Sequence, residues 1–302
     1  MSEAGKGKRT TPPGALCDGL AALRAVRRVA APSWVVPAPL AENCRFLAGK
    51  VDEAGLLFFD ATTCLAYDGN DLPPDLARLP LTYHVHLPLD LPWHDPAGAA
   101  TICRALMERC AFLPATPERG APSGREREAG PEREVRGKPG IRAVLHPPDC
   151  APQGDRNNAG QDARRLIADF LERFAALGGD PSLLLLENTP ENDLAALEES
   201  IVEAGLGICL DLGHLLACGQ ERLLSRTRLL DRTRLLHLSA PGRDGGRIRH
   251  LPLTALDGAG RAVGRRLCRD TPEDAVVMVE LFSWSGIEES LPVLCSWLLP
   301  GR

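Results

Sequence analysis

Eight short runs rich in β-branched and aliphatic residues alternate with seven helical patterns along this chain, and that alternation limits its fold more than any other feature. The runs are Val29 to Val36, Gly55 to Asp60, Leu81 to Leu87, Ile141 to His146, Ser182 to Glu187, Gly207 to Asp211, Arg234 to Leu238 and Ala275 to Leu281. Between them, helical spacing of apolar residues covers Leu40 to Ala48, Ala99 to Phe112, Gln161 to Leu177, Asn192 to Ala204, Leu215 to Ser225, Leu253 to Leu267 and Ile287 to Leu298. Asp71 to Leu79, with Pro73 and Pro74, leaves room only for a short or broken helix. Each crossover must carry the chain back before the next strand starts in the same direction, so repeated βα units give a parallel sheet. Eight of them close into an α/β fold of the (β/α)8 TIM-barrel type. The rival, an open doubly wound sheet, is disfavoured: no G-x-G-x-x-G turn follows the first run, and the polar residues are not gathered at one switch point.

A chain of 302 residues with 44% hydrophobic and 25% charged side chains supports one globular domain, expected over residues 15–302. Two segments fall outside that expectation. Residues 1–14 carry Lys6, Lys8 and Arg9 but no apolar run of the kind a secretory signal needs, so a disordered leader and a cytoplasmic address are expected. Residues 114–140 alternate Arg and Glu between Pro and Gly, and Val135 is their only large apolar side chain. Such a segment buries too little surface to offset its ordering entropy, which predicts a disordered charged insert. The longest aliphatic stretch, Leu183 to Leu186, is far short of the ~20 residues of a membrane span, so no membrane partner is expected. Net charge is −5, the wrong sign for holding nucleic acid by charge alone. Ten cysteines occur without one C-x-x-C, as expected of buried thiols in a reducing compartment.

In a barrel of this kind the chemistry sits where the strands end, and these ends share a composition. The third run ends in YHVHLP with His84 and His86, the fourth in AVLHPPD with His146, and the fifth in LLLLENTP with Glu187. The sixth ends in CLDLGH with Asp211 and His214, the seventh in LLHLSA with His237 shortly before His250, and the eighth in VMVELF with Glu280. One such histidine would be unremarked; six consecutive strand ends predict divalent-metal binding. Imidazole mixed with carboxylate suits Zn, Mn or Fe better than Mg or Ca, and the number of donors predicts two or three ions. Either His84 or His86 can be the third strand's ligand. Asn188 and Thr189 are expected to cap the following helix, and Trp34 and Trp284, although placed to flank the mouth, are expected in core packing.

These ordered strand ends resemble the xylose-isomerase-like barrel superfamily that includes the endonuclease-four type of apurinic endonuclease. The resemblance implies a multinuclear zinc site drawing on His86, His146, Glu187, Asp211, His214, His237 and Glu280. His250 falls near the histidine of that family's D-x-H step, but Ile248 stands where its aspartate would be. More narrowly, SWVVPAPLAENCRFLAGKVDEAGLLFFD, LTYHVHLPLDLPW, LENTPEN, GICLDLGHLLACG and RTRLLHLSAPGRDGGRIRHLPL are similar to the cobamide-remodelling phosphodiesterases of the same superfamily. That likeness implies hydrolysis of the phosphoribosyl bond in the nucleotide loop of a cobamide, giving cobinamide phosphate and an α-ribazole-type nucleoside. Glu187, Asp211 and Glu280 are then the catalytic carboxylates, with Glu187 bridging, and the partner is a small molecule rather than nucleic acid. The alternative is a sugar isomerase or epimerase of the same superfamily, with a single divalent ion on Glu187, Asp211, His237 and Glu280.

Overall fold

The computed structural model describes residues 13–117, 140–149, 156–244 and 247–299. Eight parallel strands close into a barrel: β1 Val29–Pro32, β2 Glu53–Leu57, β3 Thr82–His86, β4 Arg142–Leu145, β5 Leu184–Glu187, β6 Gly207–Asp211, β7 Thr233–Leu238 and, as the eighth stave, β10 Val276–Val279. β10 closes the ring by pairing with both β7 and β1. Most strands are shorter than the apolar runs that announce them. The first run stops pairing at Pro32, which has no N–H for the ladder, and residues beyond it turn outward to form the mouth.

The helices pack around this barrel, and their ends follow from local chemistry. Asp60, Asp95, Asp257 and Ser283 each accept a backbone N–H at the start of α3 (Ala61–Leu65), α4 (Pro96–Arg109), α9 (Gly258–Asp270) and α10 (Trp284–Leu298). The helix expected over Asn192 to Ala204 is reduced to a turn and α6 (Glu198–Glu203), because Leu194 adopts a left-handed conformation (φ 60°). Similarly, α7 (Leu212–Ala217) stops before Gly219, whose φ of 63° breaks the pattern that continued to Ser225. Inside the staves, Ala30, Val144, Leu185, Cys209, Leu235, Val276 and Met278 form a separate small core that plugs the barrel beneath its mouth.

Two expected boundaries move, and one element has no counterpart among the expectations. The leader expected over residues 1–14 is too long, because α1 (Pro13–Val26) already includes Pro13 and Gly14; residues 1–12 lie outside the described residues. The insert does not begin at Pro114. Tyr83 N–H donates to Pro114 O at 2.9 Å, Ala115 bridges Tyr83, and buried Thr116 donates its hydroxyl to Glu53; residues 118–139 lie outside the described residues. Finally, the chain between β7 and α9 forms an antiparallel hairpin, β8 (Ala240–Asp244) with β9 (Arg247–Leu251), that pairs with no stave of the barrel. No helix among the described residues is long and apolar enough to cross a membrane.

Candidate metal centre

Parallel strands all deliver their C-terminal residues to one mouth, and here that brings six of the sequence-predicted ligands together. Glu187 closes β5 at the centre of the group. Its Oε1 lies 2.9 Å from His237 Nδ1, while its Oε2 lies 3.0 Å from His146 Nε2 and 3.2 Å from His86 Nε2. Glu187, Asp211, His237 and Glu280 converge within 4.8 Å of one another, as do His86, His146 and Glu187, and His86, His237 and Glu280. His237 Nδ1 is 3.4 Å from Glu280 Oε2, about the ligand–ligand edge of a tetrahedral ion with bonds near 2.1 Å.

The donor set fits a divalent cation. Glu187, Asp211 and Glu280 are 1%, 0% and 5% exposed, so three carboxylates share one dry space. Asp211 Oδ2, Glu280 Oε2 and His237 Nε2 are buried without a hydrogen-bond partner. His86 adds a further sign: its Nδ1–H donates to Leu87 O at 3.0 Å, so its Nε2 faces the Glu187 oxygen with only a second proton or a cation able to join them. A ligating histidine is oriented by just such a bond on its other nitrogen. Burial opposes the charge of Glu187, yet the His237 ring and hydrogen bonds from His146, His237 and His86 hold its carboxyl well below the usual range. Burial and the neighbouring Asp211 and Glu187 push Glu280 well above it.

Of the two histidines on the third strand, His86 is the one that stands among the converging groups. His84 lies two residues deeper on the same inner face, with Nδ1 2.7 Å from Glu53 Oε1. His214 and His250 stand apart from the convergent groups, their rings 6.2 Å from each other. His214 Nδ1–H donates to Asn188 O (2.9 Å), and His250 Nδ1 takes the Ser239 hydroxyl (3.0 Å) while lying 3.4 Å from Glu280 Oε2. A third ion on His214 and His250 is therefore without the converging donors that the other groups have, in keeping with Ile248 in place of an aspartate.

Several supporting residues escaped the sequence reading. Asn188 caps no helix: its side chain accepts Asp211 N–H at 2.7 Å and donates to Asp211 O and Gln220 Oε1, clamping the ends of β5 and β6 together. Thr189 likewise serves a tight turn with Asn192. Gly213 has no room for a side chain, because a Cβ there would lie 2.8 Å from Ser239 Oγ and 3.2 Å from Asp211 Oδ1. Cys209, two residues before Asp211, also converges on Glu187 and His237; burial and the surrounding carboxylates keep it a thiol. The spacing of two that places Cys209 and Asp211 on one face of β6 was the available signal.

A cavity of about 580 Å³ opens over these groups. His86, His146, Glu187, His214, His250 and Glu280 form its floor, and Arg243 of the hairpin is the one Arg or Lys among the described residues that line it. Arg243 donates to Ala217 O, which holds its guanidinium beside the mouth.

No family model matches the chain, and no curated protein matches it in sequence. Solved structures do share its fold. A D-tagatose 3-epimerase-like protein superposes with a TM-score of 0.59 at 16% identity, over 90% of this chain and 97% of that one. The probable 3-DHS dehydratase AsbF involved in petrobactin synthesis, from Bacillus anthracis, gives 0.57 at 16% identity over 88% and 98%. A xylose isomerase-like TIM barrel protein from Mycobacterium smegmatis, in complex with magnesium, gives 0.51 at 14% over 90% and 97%. The chain thus has the fold of the xylose-isomerase-like TIM barrels, and at these identities the likeness extends to the fold alone.

Proposed function

We propose that this chain is a metal-dependent phosphodiesterase that cleaves the nucleotide loop of cobamides. One observation carries the reading: Glu187 offers one oxygen to His86 and His146 and the other to His237, the posture of a carboxylate shared by two ions. A pair of divalent ions held there would supply Lewis acidity to a phosphoryl oxygen and make a water acidic enough to react near neutral pH. The residues to hold them are His86, His146 and Glu187 on one side and Glu187, Asp211, His237 and Glu280 on the other.

The remaining chemistry falls to the protein's own groups. Arg243 attracts the phosphodiester anion to the mouth. The Asn188 clamp keeps Asp211 and Glu187 at fixed separation, so that no reorganisation is needed when charge builds up on phosphorus. The oxygen of water attacks phosphorus, the bond from phosphorus to the ribosyl oxygen breaks, and the proton lost by water ends on that leaving oxygen. Cobinamide phosphate and an α-ribazole-type nucleoside result. The choice of a cobamide rests on the sequence resemblance, and the choice of a phosphodiester on the paired donor groups.

The solved structures that share the fold favour a second reading over the first. Glu187, Asp211, His237 and Glu280 converge without help from His86 or His146, and the fold is shared with an epimerase-like protein and with D-psicose 3-epimerase. On that reading the chain is a sugar epimerase or isomerase with a single ion. Incubating metal-replete protein separately with adenosylcobalamin and with ketohexoses, then identifying the products chromatographically, decides between them. Release of an α-ribazole nucleoside supports the phosphodiesterase; an intact corrinoid beside an epimerised ketose supports the epimerase.

A further inference from the structure

The floor of the cavity is polar, but half of its rim is not. Among the described residues, the large hydrophobic side chains left exposed are Val26, Trp34, Phe59, Leu89, Phe112 and Phe282. Four of them stand at the mouth. Trp34 follows β1, Phe59 follows β2, Leu89 follows β3 and Phe282 follows β10, and these four staves are neighbours in the barrel in the order β10, β1, β2, β3. The exposed apolar groups therefore form an arc on one side of the mouth. Trp34 meets Phe59 edge to face, with centroids 5.4 Å apart and planes at 82°, and Phe282 is held against the His250 ring at 5.5 Å. Phe59, Leu89 and Phe282 line the same cavity as His86, His146, Glu187 and Glu280.

Such an arc is costly to leave in water unless something covers it, and clustered exposed apolar surface marks a binding region. A sugar ring needs hydrogen-bonding partners around its whole edge. Here, among the described residues that line the cavity outside its floor, only Glu191 and Arg243 carry charged groups for that purpose, and most of the others are apolar.

We infer that the arc of Trp34, Phe59, Leu89 and Phe282 is a specificity-determining surface that packs against the methyl-bearing face of the substrate's macrocycle while the phosphodiester lies over Glu187. This rests on the phosphodiesterase reading for the identity of the macrocycle, the corrin ring. It adds that the corrin half, and not the nucleoside half, is gripped by the β10–β1–β2–β3 side of the mouth, which leaves the leaving group on the side of Arg243 and the hairpin.

The test uses dicyanocobinamide, which carries the corrin without the nucleotide loop, in equilibrium dialysis against the full metal-replete chain, with retention read from corrin absorbance. Wild type should retain it, and the exposed double variant Trp34→Ser with Phe59→Ser should bind it at least tenfold more weakly; Phe112→Ser, equally exposed but away from the mouth, should bind it as wild type does. The same double variant should lower the ratio of kcat/KM for adenosylcobalamin to that for methyl p-nitrophenyl phosphate at least tenfold. Substitutions at such exposed positions leave folding nearly intact, which a melting curve checks. Equal corrin retention by wild type and double variant, or no retention by wild type, overturns the inference. So does a change of association state in sedimentation without a change in corrin retention, since the arc would then be a contact between copies. Hydrolysis of adenosylcobalamin that is indifferent to the double variant sinks the arc and spares the phosphodiesterase. Corrin retention that needs the arc, without hydrolysis of any phosphodiester, supports the arc and sinks the phosphodiesterase.

Discussion

His146 Nε2 lies 3.0 Å from Glu187 Oε2, on the carboxylate oxygen opposite the one that faces His237. If that oxygen serves a second ion, His146→Ala vacates a coordination position without touching the Glu187, Asp211, His237 and Glu280 group. The expected outcome is loss of one metal equivalent by elemental analysis and a fall in kcat of about 10²-fold, typical of lost electrostatic stabilisation. Unchanged metal content with a normal rate would assign His146 to substrate contact alone.

Metal should stabilise the fold as well as act in it. Loading at one hundred times the dissociation constant contributes about 2.7 kcal/mol, which for a domain of this size is a rise of roughly 5 °C in Tm. Glu280→Gln should separate the two sides of this balance. It removes one of three like charges that crowd a dry space, so the chelated variant should melt above chelated wild type, while its gain on adding Zn, Mn or Fe should be smaller. Differential scanning calorimetry with and without chelator reads both signs, and a variant that melts lower in both states contradicts the argument.

At the other end of the barrel, Glu53 gives a pH signature. Burial opposes its ionisation, but the hydrogen bond from His84, aided by Thr116 and Arg28, keeps its carboxyl below the usual range. A carboxyl depressed in the folded state stabilises above its unfolded value of about 4.3, and this stabilisation is lost as pH falls through the folded value. Glu53→Gln should therefore cost about 2 kcal/mol near neutrality, as expected for a buried hydrogen bond to a charged group. The gap from wild type should close below about pH 4. Urea unfolding across that range tests it, and a gap that stays constant down to pH 3 would show that Glu53 is held by packing.

Removing residues 118–139 and joining Pro117 to Gly140 through a short Gly-Ser linker should leave folding and turnover close to wild type, because the sequence there has almost nothing to bury. Extending the deletion back through Ala115 should not be tolerated equally. It takes away the Thr116 hydroxyl on Glu53 and the pairing with Tyr83, at a cost of about 1–3 kcal/mol in unfolding free energy. Equal stability of the two deletions would remove Thr116 from the network.

The strand ends were legible because a parallel barrel points every C-terminal residue the same way; the order of His86, His146, Glu187, Asp211, His237 and Glu280 along the chain becomes a ring in space. Depth was not legible. His84 and His86 share an inward face, separated only by about 6.6 Å of strand rise, and what divides their roles is Glu53, which lies 31 positions before His84. Thr116 was hidden for the same reason: its partner is on β2, beyond the reach of local pattern. The hairpin did carry a signal that went unread, since Asp244-Gly245-Gly246 between alternating residues is a turn sequence. The exposed position of Trp34 could not be foreseen either, because an aromatic beside a strand reads as core until the floor of the cavity is known.

The hairpin of β8 and β9 pairs within itself and shares no ladder with the barrel. Residues 240–251 can consequently be rewritten by mutation without a renegotiation of any stave, while Glu187 and its neighbours are anchored in strands that cannot move independently. Selection can act on the two parts at different speeds: the converging donors are inherited with the barrel, and a dozen residues at its edge are open to revision.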